Sequence, residues 1–327
     1  MTPTPLLRVR DLRTSFGSGD RKAEVVKGVS FDLNKGEVLG LIGESGSGKT
    51  VTGLSVLQLL PDNGHVEAAE LTYNGRSLAG IGAKEMQGLR GADLAMIFQD
   101  PVGSFNPAKT IGWHLVKALG RHSAGPSGDL KAGDLKAVAA DLLKQVNIRE
   151  PERTMASYPH QLSGGMLQRV LIAMVFGLNP KLVIADEPTT NLDNLVERQI
   201  LELIRSQQRQ HDTGVLFVTH DLTVARHLCD RVAVMYSGRI VEIGPTEQIL
   251  ERPAHPYTAG LLATARSLEK RDATLYEIKG EPGATSWAKR CAFSARCPNV
   301  TDRCTSAEPT ERTVEPGHSV RCFNHAA

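Results

Sequence analysis

Long apolar runs are missing from this sequence. The longest candidate, Val170 to Leu178, stops at Asn179-Pro180-Lys181, well short of the ~18 to 20 residues that span a bilayer. The segment Met1 to Arg10 lacks an apolar core ahead of its arginines, so a secretory signal is not expected. Charge of one sign is equally scarce. Basic residues number 38 and acidic residues 36, a net charge of +2, too little to argue for a nucleic-acid partner. These absences point to a soluble, cytoplasmic chain. Cysteine is nearly absent until the last 37 residues, which hold Cys291, Cys297, Cys304 and Cys322. The one earlier cysteine, Cys229, sits in a stretch that reads as an amphipathic helix, where a buried thiol is the expected role. Without an export signal, a disulfide framework fits the clustered four poorly.

What is present is ordinary globular material: 41% hydrophobic and 23% charged residues exclude a wholly disordered chain. At ~150 residues per domain, a chain of 327 residues points to about two domains. Short β-branched runs alternate with longer helical patterns, which predicts an α/β core with a largely parallel sheet. Val38 to Ile42, Leu182 to Ala185 and Val215 to Val218 read as buried strands. Leu6 to Phe16 and Glu24 to Leu33 read as an antiparallel layer, and Val232 to Ile243, centred on Ser237-Gly238, as a hairpin. Ile111 to Gly177 is mainly helical in pattern, interrupted by an expected loop over Gly120 to Gly133. After Pro253-Ala254-His255-Pro256 the character changes. The expected domains are therefore 1–255, with a helical subdomain at about 100–178, and 256–327.

Gly43-Glu44-Ser45-Gly46-Ser47-Gly48-Lys49-Thr50 matches G-x-x-x-x-G-K-[ST] at every fixed position, after a predicted strand and before a helix predicted to run to about Leu60. Glycines there let backbone N–H groups curl around phosphate oxygens. The helix N-terminus adds favourable partial charge. Lys49 is expected to reach the β- and γ-phosphates, and Thr50 to offer its hydroxyl to Mg²⁺. Leu182 to Ala185 ends in Asp186-Glu187: one carboxylate to hold Mg²⁺, the second to polarise an attacking water. The 137 positions from Lys49 to Asp186 exceed what one crossover helix needs. They include Leu162-Ser163-Gly164-Gly165-Met166, where Ser163 is a good N-cap for the helix-like run Leu167 to Phe176. Taken alone, that motif is a plain cap.

In series, these residues resemble the ABC ATPases, the nucleotide-binding subunits of ATP-binding cassette transporters. The resemblance covers roughly residues 6 to 250. It implies a phosphate-loop NTPase core with an antiparallel β layer and a helical subdomain, followed here by a small Cys-rich C-terminal extension. Phe16 stands where the family stacks an aromatic on adenine. Gln99, in Ile97-Phe98-Gln99-Asp100-Pro101, matches the loop that senses the γ-phosphate, a magnesium contact beside Thr50 and Asp186, and meets the membrane subunit. Ser163, Gly164 and Gly165 belong to the signature. Glu187 matches the catalytic base, Asp193 in Asn191-Leu192-Asp193 the dimer-interface loop, and His220 in Val218-Thr219-His220-Asp221 the switch histidine. Two positions depart from the pattern: Met166 replaces a glutamine, and Asn191 stands where small residues are common.

A second layer of similarity, to importers of the oligopeptide/dipeptide/nickel type, covers nearly the whole chain. It rests on Ser104-Phe105-Asn106-Pro107, Tyr158 to Met166 and His255-Pro256-Tyr257-Thr258. The implied role is an ATPase on the cytoplasmic face of the membrane that powers peptide uptake. Two cassettes would close head-to-tail on two separate permeases. The second ATPase subunit would be different, an extracytoplasmic solute-binding protein would be reached indirectly, and no nucleic acid would be bound. Nickel or another small solute stays open as cargo. A soluble ABC ATPase acting on nucleic acid or ribosomes is the alternative class, opposed by the single cassette, the lack of heptads and the near-neutral charge. A phosphate-loop kinase leaves the signature and His220 unexplained.

The tail reads C-x5-C-x6-C-x17-C. Four thiolates hold structural zinc, though zinc sites usually show tighter pairs. Iron–sulfur clusters also take four cysteines. Similarity to the peptide-importer tail favours a [4Fe–4S] cluster on Cys291, Cys297, Cys304 and Cys322, with zinc and unligated thiols as alternatives. A tail with few large apolar residues is expected to need such a staple.

Overall fold

The computed structural model describes residues 4–19, 22–122, 132–190, 192–270, 276–280 and 290–324. Most of the loop expected over Gly120 to Gly133, and the departure at Asn191, lie outside the described residues. The chain divides into two units, Met1–Gly80 with Leu216–Ala327, and Ile81–Val215. The first unit opens with strands β1 (Leu7–Phe16), β2 (Ala23–Leu33) and β3 (Val38–Ile42), helix α1 (Lys49–Val56), and short strands β4 (Gly64–Glu67), β5 (Glu70–Tyr73) and β6 (Arg76–Ser77). The second unit holds α2 (Ala83–Leu89), β7 (Leu94–Ile97), α3 (Ile111–His122), α4 (Ala132–Gln145), α5 (Pro151–Ala156), α6 (Gly164–Phe176), β8 (Leu182–Asp186) and α7 (Asn194–His211). Strand β9 (Gly214–Thr219) leads back into the first unit. There follow α8 (Leu222–Leu228), β10 (Arg231–Tyr236), β11 (Arg239–Pro245), α9 (Thr246–Glu251), α10 (Pro256–Lys270), α11 (Asp302–Ser306), β12 (Arg312–Glu315) and β13 (His318–Val320).

Burial alternates along β1 and β2, the pattern of a sheet with one solvated face. They pair antiparallel from Leu7↔Leu33 to Phe16↔Ala23. Strand β3 is buried along its whole length and pairs in parallel with β10, Arg231↔Leu39 through Val234↔Ile42. Apolar residues on both faces suit a strand covered on both sides. In the first unit the strand order is β12-β13-β11-β10-β3-β9. The loop that begins at Gly43 therefore leaves the carboxyl end of an interior strand, where open α/β sheets hold their ligands. In the second unit β7 and β8 pair in parallel, Leu94↔Leu182 to Ile97↔Ala185. Helix α1 ends at Val56 rather than near Leu60, because Gln58 adopts φ 50°, a left-handed residue that stops the i→i−4 ladder.

The C-terminal tail folds onto the first unit. Strand β13 extends the sheet by pairing with β11, Glu242↔Val320 and Ile243↔Ser319. Fully buried Glu242 accepts from the Ala254 and His255 N–H groups at 2.6 and 3.0 Å and meets His318 Nε2 at 2.8 Å. Phe293 packs edge-on to Tyr236 at 5.2 Å and against Tyr257 at 5.4 Å, ring centroid to centroid. Such aromatic pairs add about 0.5 to 1.5 kcal/mol beyond area burial. His255 Nδ1 accepts from the Tyr257 N–H at 3.0 Å, and burial pushes the His255 pKa down to about 4. An unfolded imidazole takes up its proton below about 6.5. Between those values the unfolded chain holds more protons, so stability falls as pH drops, by about 3 kcal/mol in all. Urea unfolding from pH 7 to pH 4 measures this loss, and His255→Asn should make the fall shallower. An unchanged pH profile in that variant would remove His255 from the balance.

Candidate functional site

The phosphate loop is shaped by backbone constraints at both ends. A side chain at Gly43 would run into the Met235 carbonyl oxygen on β10. Gly48 adopts φ +102°, a conformation that L side chains rarely take. Lys49, at only 5% exposure, donates to the carbonyl oxygens of Gly43 at 2.8 Å and Glu44 at 3.1 Å. Its ammonium is thus fixed over the loop by the loop's own backbone. Ser47 Oγ is buried and has no hydrogen-bond partner among the described residues. An orphaned buried hydroxyl in an anion-binding loop fits a phosphate oxygen. Thr50 is exposed in the first turn of α1, Ser45 and Gly46 are exposed at the loop's crest, and Glu44 is half-buried.

In the second unit, β8 ends on Asp186, with Glu187 the next residue along. Asp186 is buried. A hard carboxylate oxygen is the ligand type Mg²⁺ prefers, usually one or two beside substrate phosphates. Glu187 adopts φ 43°, a left-handed conformation costing about 1 to 3 kcal/mol for a non-glycine residue and concentrated at functional sites. Its Oε2 accepts from Thr190 Oγ1 at 3.0 Å and lies 3.4 Å from Gln99 Nε2. The structure therefore brings together Gln99 and Glu187. Thr190 was not singled out from sequence, although a hydroxyl three residues beyond the second acid was the available signal.

The remaining predicted residues occupy strand and helix ends. Ser163 caps α6, its Oγ accepting from the Met166 N–H at 3.3 Å. Gly164 has open space at its Cα, whereas a Cβ on Gly165 would meet Val196 of α7 at 2.8 Å. Asp193 caps α7 by accepting from the Leu195 and Val196 N–H groups at 3.1 and 3.0 Å. His220 is exposed at the end of β9. Phe16, half-buried, ends β1 opposite Gly64, beside a recess lined by Gly17, Lys22, His65 and Glu67. Cys229 is buried just beyond α8, as expected of a structural thiol.

The metal expectation for the tail is overturned. Among the described residues no group of three or more His, Cys, Asp or Glu side chains is arranged to hold a metal ion. Cys291, Cys297, Cys304 and Cys322 form no disulfide, and with no such group neither the [4Fe–4S] cluster nor zinc has a site. Burial, with a smaller contribution from the neighbouring thiols, pushes Cys291 up to about 11. Burial also raises Cys297 and Cys322. Iron and zinc need thiolates, and these surroundings favour the protonated form. Cys304 Sγ lies 3.3 Å from the Thr301 hydroxyl. The argument for a staple also loses its basis, because β13 and Phe293 give the tail a sheet and a core to join.

Fold and loop define a phosphate-loop nucleoside triphosphatase cassette. The model for the family described as "ABC transporter" matches residues 26–190. The model described as "Oligopeptide/dipeptide transporter, C-terminal region" matches 241–304. The dipeptide transport ATP-binding protein DppD of Bacillus subtilis is 41% identical over 97% of this chain and 94% of its own length. The oligopeptide transport ATP-binding protein OppD of the same organism is 42% identical over 98% of this chain and 89% of its own. An ATP-binding cassette solved as a dimer in a post-hydrolysis state, bound to ADP and Pi, superposes with a TM-score of 0.64 at 23% identity, covering 73% of this chain and 98% of that one. That last likeness concerns the fold alone. The chain belongs to the ABC transporter family, as one of its ATP-hydrolysing cassettes. No described helix is long and apolar enough to cross a membrane.

If Thr190 orients Glu187, then Thr190→Val should lower kcat about tenfold, the equivalent of one ~1.4 kcal/mol hydrogen bond. ATP affinity should stay the same. Steady-state kinetics beside nucleotide titration measure both, and an unchanged kcat would rule the contact out of the chemistry.

Proposed function

We propose that this chain is the ATP-hydrolysing subunit of an ABC importer that takes up di- and oligopeptides. The observation that carries this reading is similarity to peptide-transport ATP-binding proteins across 97–98% of the chain, tail included. Nothing in that similarity favours nickel or a nucleic acid over peptides. The partners are membrane permeases. The finer arrangement is a heterodimer of two cassettes on two permeases, at the cytoplasmic face. Solute choice belongs to the other subunits.

ATP lies in the Gly43–Thr50 loop, its adenine against Phe16. Lys49 already carries its charge at the loop carbonyls and needs only to turn toward the β- and γ-phosphate oxygens. Ser47 Oγ and the loop N–H groups take the remaining oxygens. Thr50, Asp186 and Gln99 are the residues that would hold Mg²⁺, which would supply positive charge against the phosphates. Glu187, oriented by Thr190, polarises a water that attacks the γ-phosphorus as the bond to the ADP oxygen breaks. The water's proton passes to the carboxylate. His220 senses the γ-phosphate. Ser163, Gly164 and Gly165 open the N-terminus of α6, an anion-favouring helix end that meets the nucleotide of the facing cassette, with Asp193 at the interface.

Glu187→Gln should lower kcat by at least ~10²-fold, the low end of general acid–base contributions, while ATP still binds. Lys49→Ala should instead abolish high-affinity binding. Single-turnover hydrolysis and equilibrium nucleotide binding separate the two, and near-normal turnover by Glu187→Gln would overturn the assignment of the base.

A further inference from the structure

Three grips meet on Glu44, the second residue of the phosphate loop, and two come from beyond residue 255. The Glu44 carbonyl oxygen accepts from Lys49 Nζ within the loop. Its N–H donates to the Tyr257 hydroxyl at 2.9 Å. Its carboxylate is held bidentately by Arg296, Nη1 to Oε2 at 2.8 Å and Nη2 to Oε1 at 3.1 Å. Arg296 is 5% exposed and Glu44 25%, so this pair is screened far less than a surface ion pair. Arg296 also donates to the carbonyl oxygens of Ile278 and Lys279 at 3.1 and 3.2 Å. Its Nη1 lies 3.5 Å from the Tyr236 hydroxyl. A buried guanidinium with this many acceptors is compensated for leaving water. Phe293, three residues earlier, is wedged among Tyr236, Tyr257 and His255 and fixes the segment from which Arg296 projects.

Two physical consequences follow. A loop rich in glycine loses conformational freedom when it closes on phosphate, about 1 to 2 kcal/mol per residue fixed. Anchoring Glu44 beforehand removes part of that cost from binding. A carboxylate inside a phosphate loop is also electrostatically adverse, since like charges repel at close range. Arg296 neutralises it. Loss of Arg296 would therefore both loosen the loop and leave an uncompensated negative charge in it.

We propose that Arg296 and Tyr257, contributed by the C-terminal extension, are positioning residues for the phosphate loop, and that tail docking and nucleotide binding are thermodynamically coupled through Glu44. The inference rests on the reading of Gly43–Thr50 as the nucleotide site. Coupling is reciprocal: a tail that favours ATP binding must itself be held more firmly when ATP is bound. The C-terminal extension is then part of the ATPase, and a perturbation at residues 291–297 reaches the phosphate site without touching nucleotide.

The full-length chain is titrated with a fluorescent ATP analogue in Mg²⁺, assayed for kcat and KM, and followed by hydrogen exchange over residues 291–297 with and without ATP. Arg296→Ala should weaken nucleotide affinity about tenfold and raise KM in step, with kcat at saturation within about twofold. Arg296→Lys should recover part of the loss. ATP should slow exchange over 291–297 in the wild type and not in Arg296→Ala. Tyr257→Phe removes one oxygen while keeping the ring contacts, so it decides the matter if Arg296→Ala does not fold, and a several-fold loss of affinity is expected. Wild-type affinity in both variants, with Lys49→Ala unable to bind, would leave the nucleotide site standing and overturn the positioning role. Normal binding by Lys49→Ala would overturn the site itself.

Discussion

A loop that grips phosphate with backbone N–H groups cannot fix its own shape through its side chains. It needs small residues where it curls and firm supports wherever else it touches the protein. Gly43 lies against the Met235 carbonyl and Gly48 takes a left-handed turn. Interior strand β3 fixes the entry, and α1 fixes the exit. Lys49 closes the loop on its own carbonyl oxygens, so the positive charge is placed before any anion arrives. Electrostatic groups arranged in advance cost no reorganisation at the moment of reaction. The same economy appears at Glu187, where a strained backbone and the Thr190 hydroxyl aim a carboxylate.

The tail acquires its meaning from this constraint. Its stability comes from sheet addition at β11, the buried Glu242–His318 contact and the Phe293 aromatic cluster. None of these requires metal. The arrangement spends a buried arginine on one loop residue, an expensive choice for stability alone, since buried ion pairs rarely exceed an apolar replacement. Its cost is easier to understand if the pair serves the loop.

Local motifs were legible because each is a short pattern with one backbone solution. The phosphate loop, the apolar runs of β3, β8 and β9, the Ser237-Gly238 hairpin and the Ser163 cap all read directly from residue type and spacing. Pairs distant in the chain were not. Glu44 meets Tyr257 and Arg296 across 213 and 252 positions, and no single-sequence pattern joins them. The cysteine tail misled for a related reason. Four thiols at open spacing count as ligands only if the fold arranges and ionises them, and here burial raises the pKa values of Cys291, Cys297 and Cys322 while aromatic packing does the anchoring. Helix α1 fell short for want of a visible signal at Gln58, a residue type that rarely turns left-handed.

The central claim is that the phosphate loop of one cassette works against the α6 N-terminus of another. The most direct test is the ATPase rate of the purified chain alone, set against its rate with the permeases and the second cassette. A slow rate alone that rises on assembly is the expected result. A rapid rate alone, unchanged by permeases or a second cassette, would mean that one chain carries a complete site, and would contradict the claim.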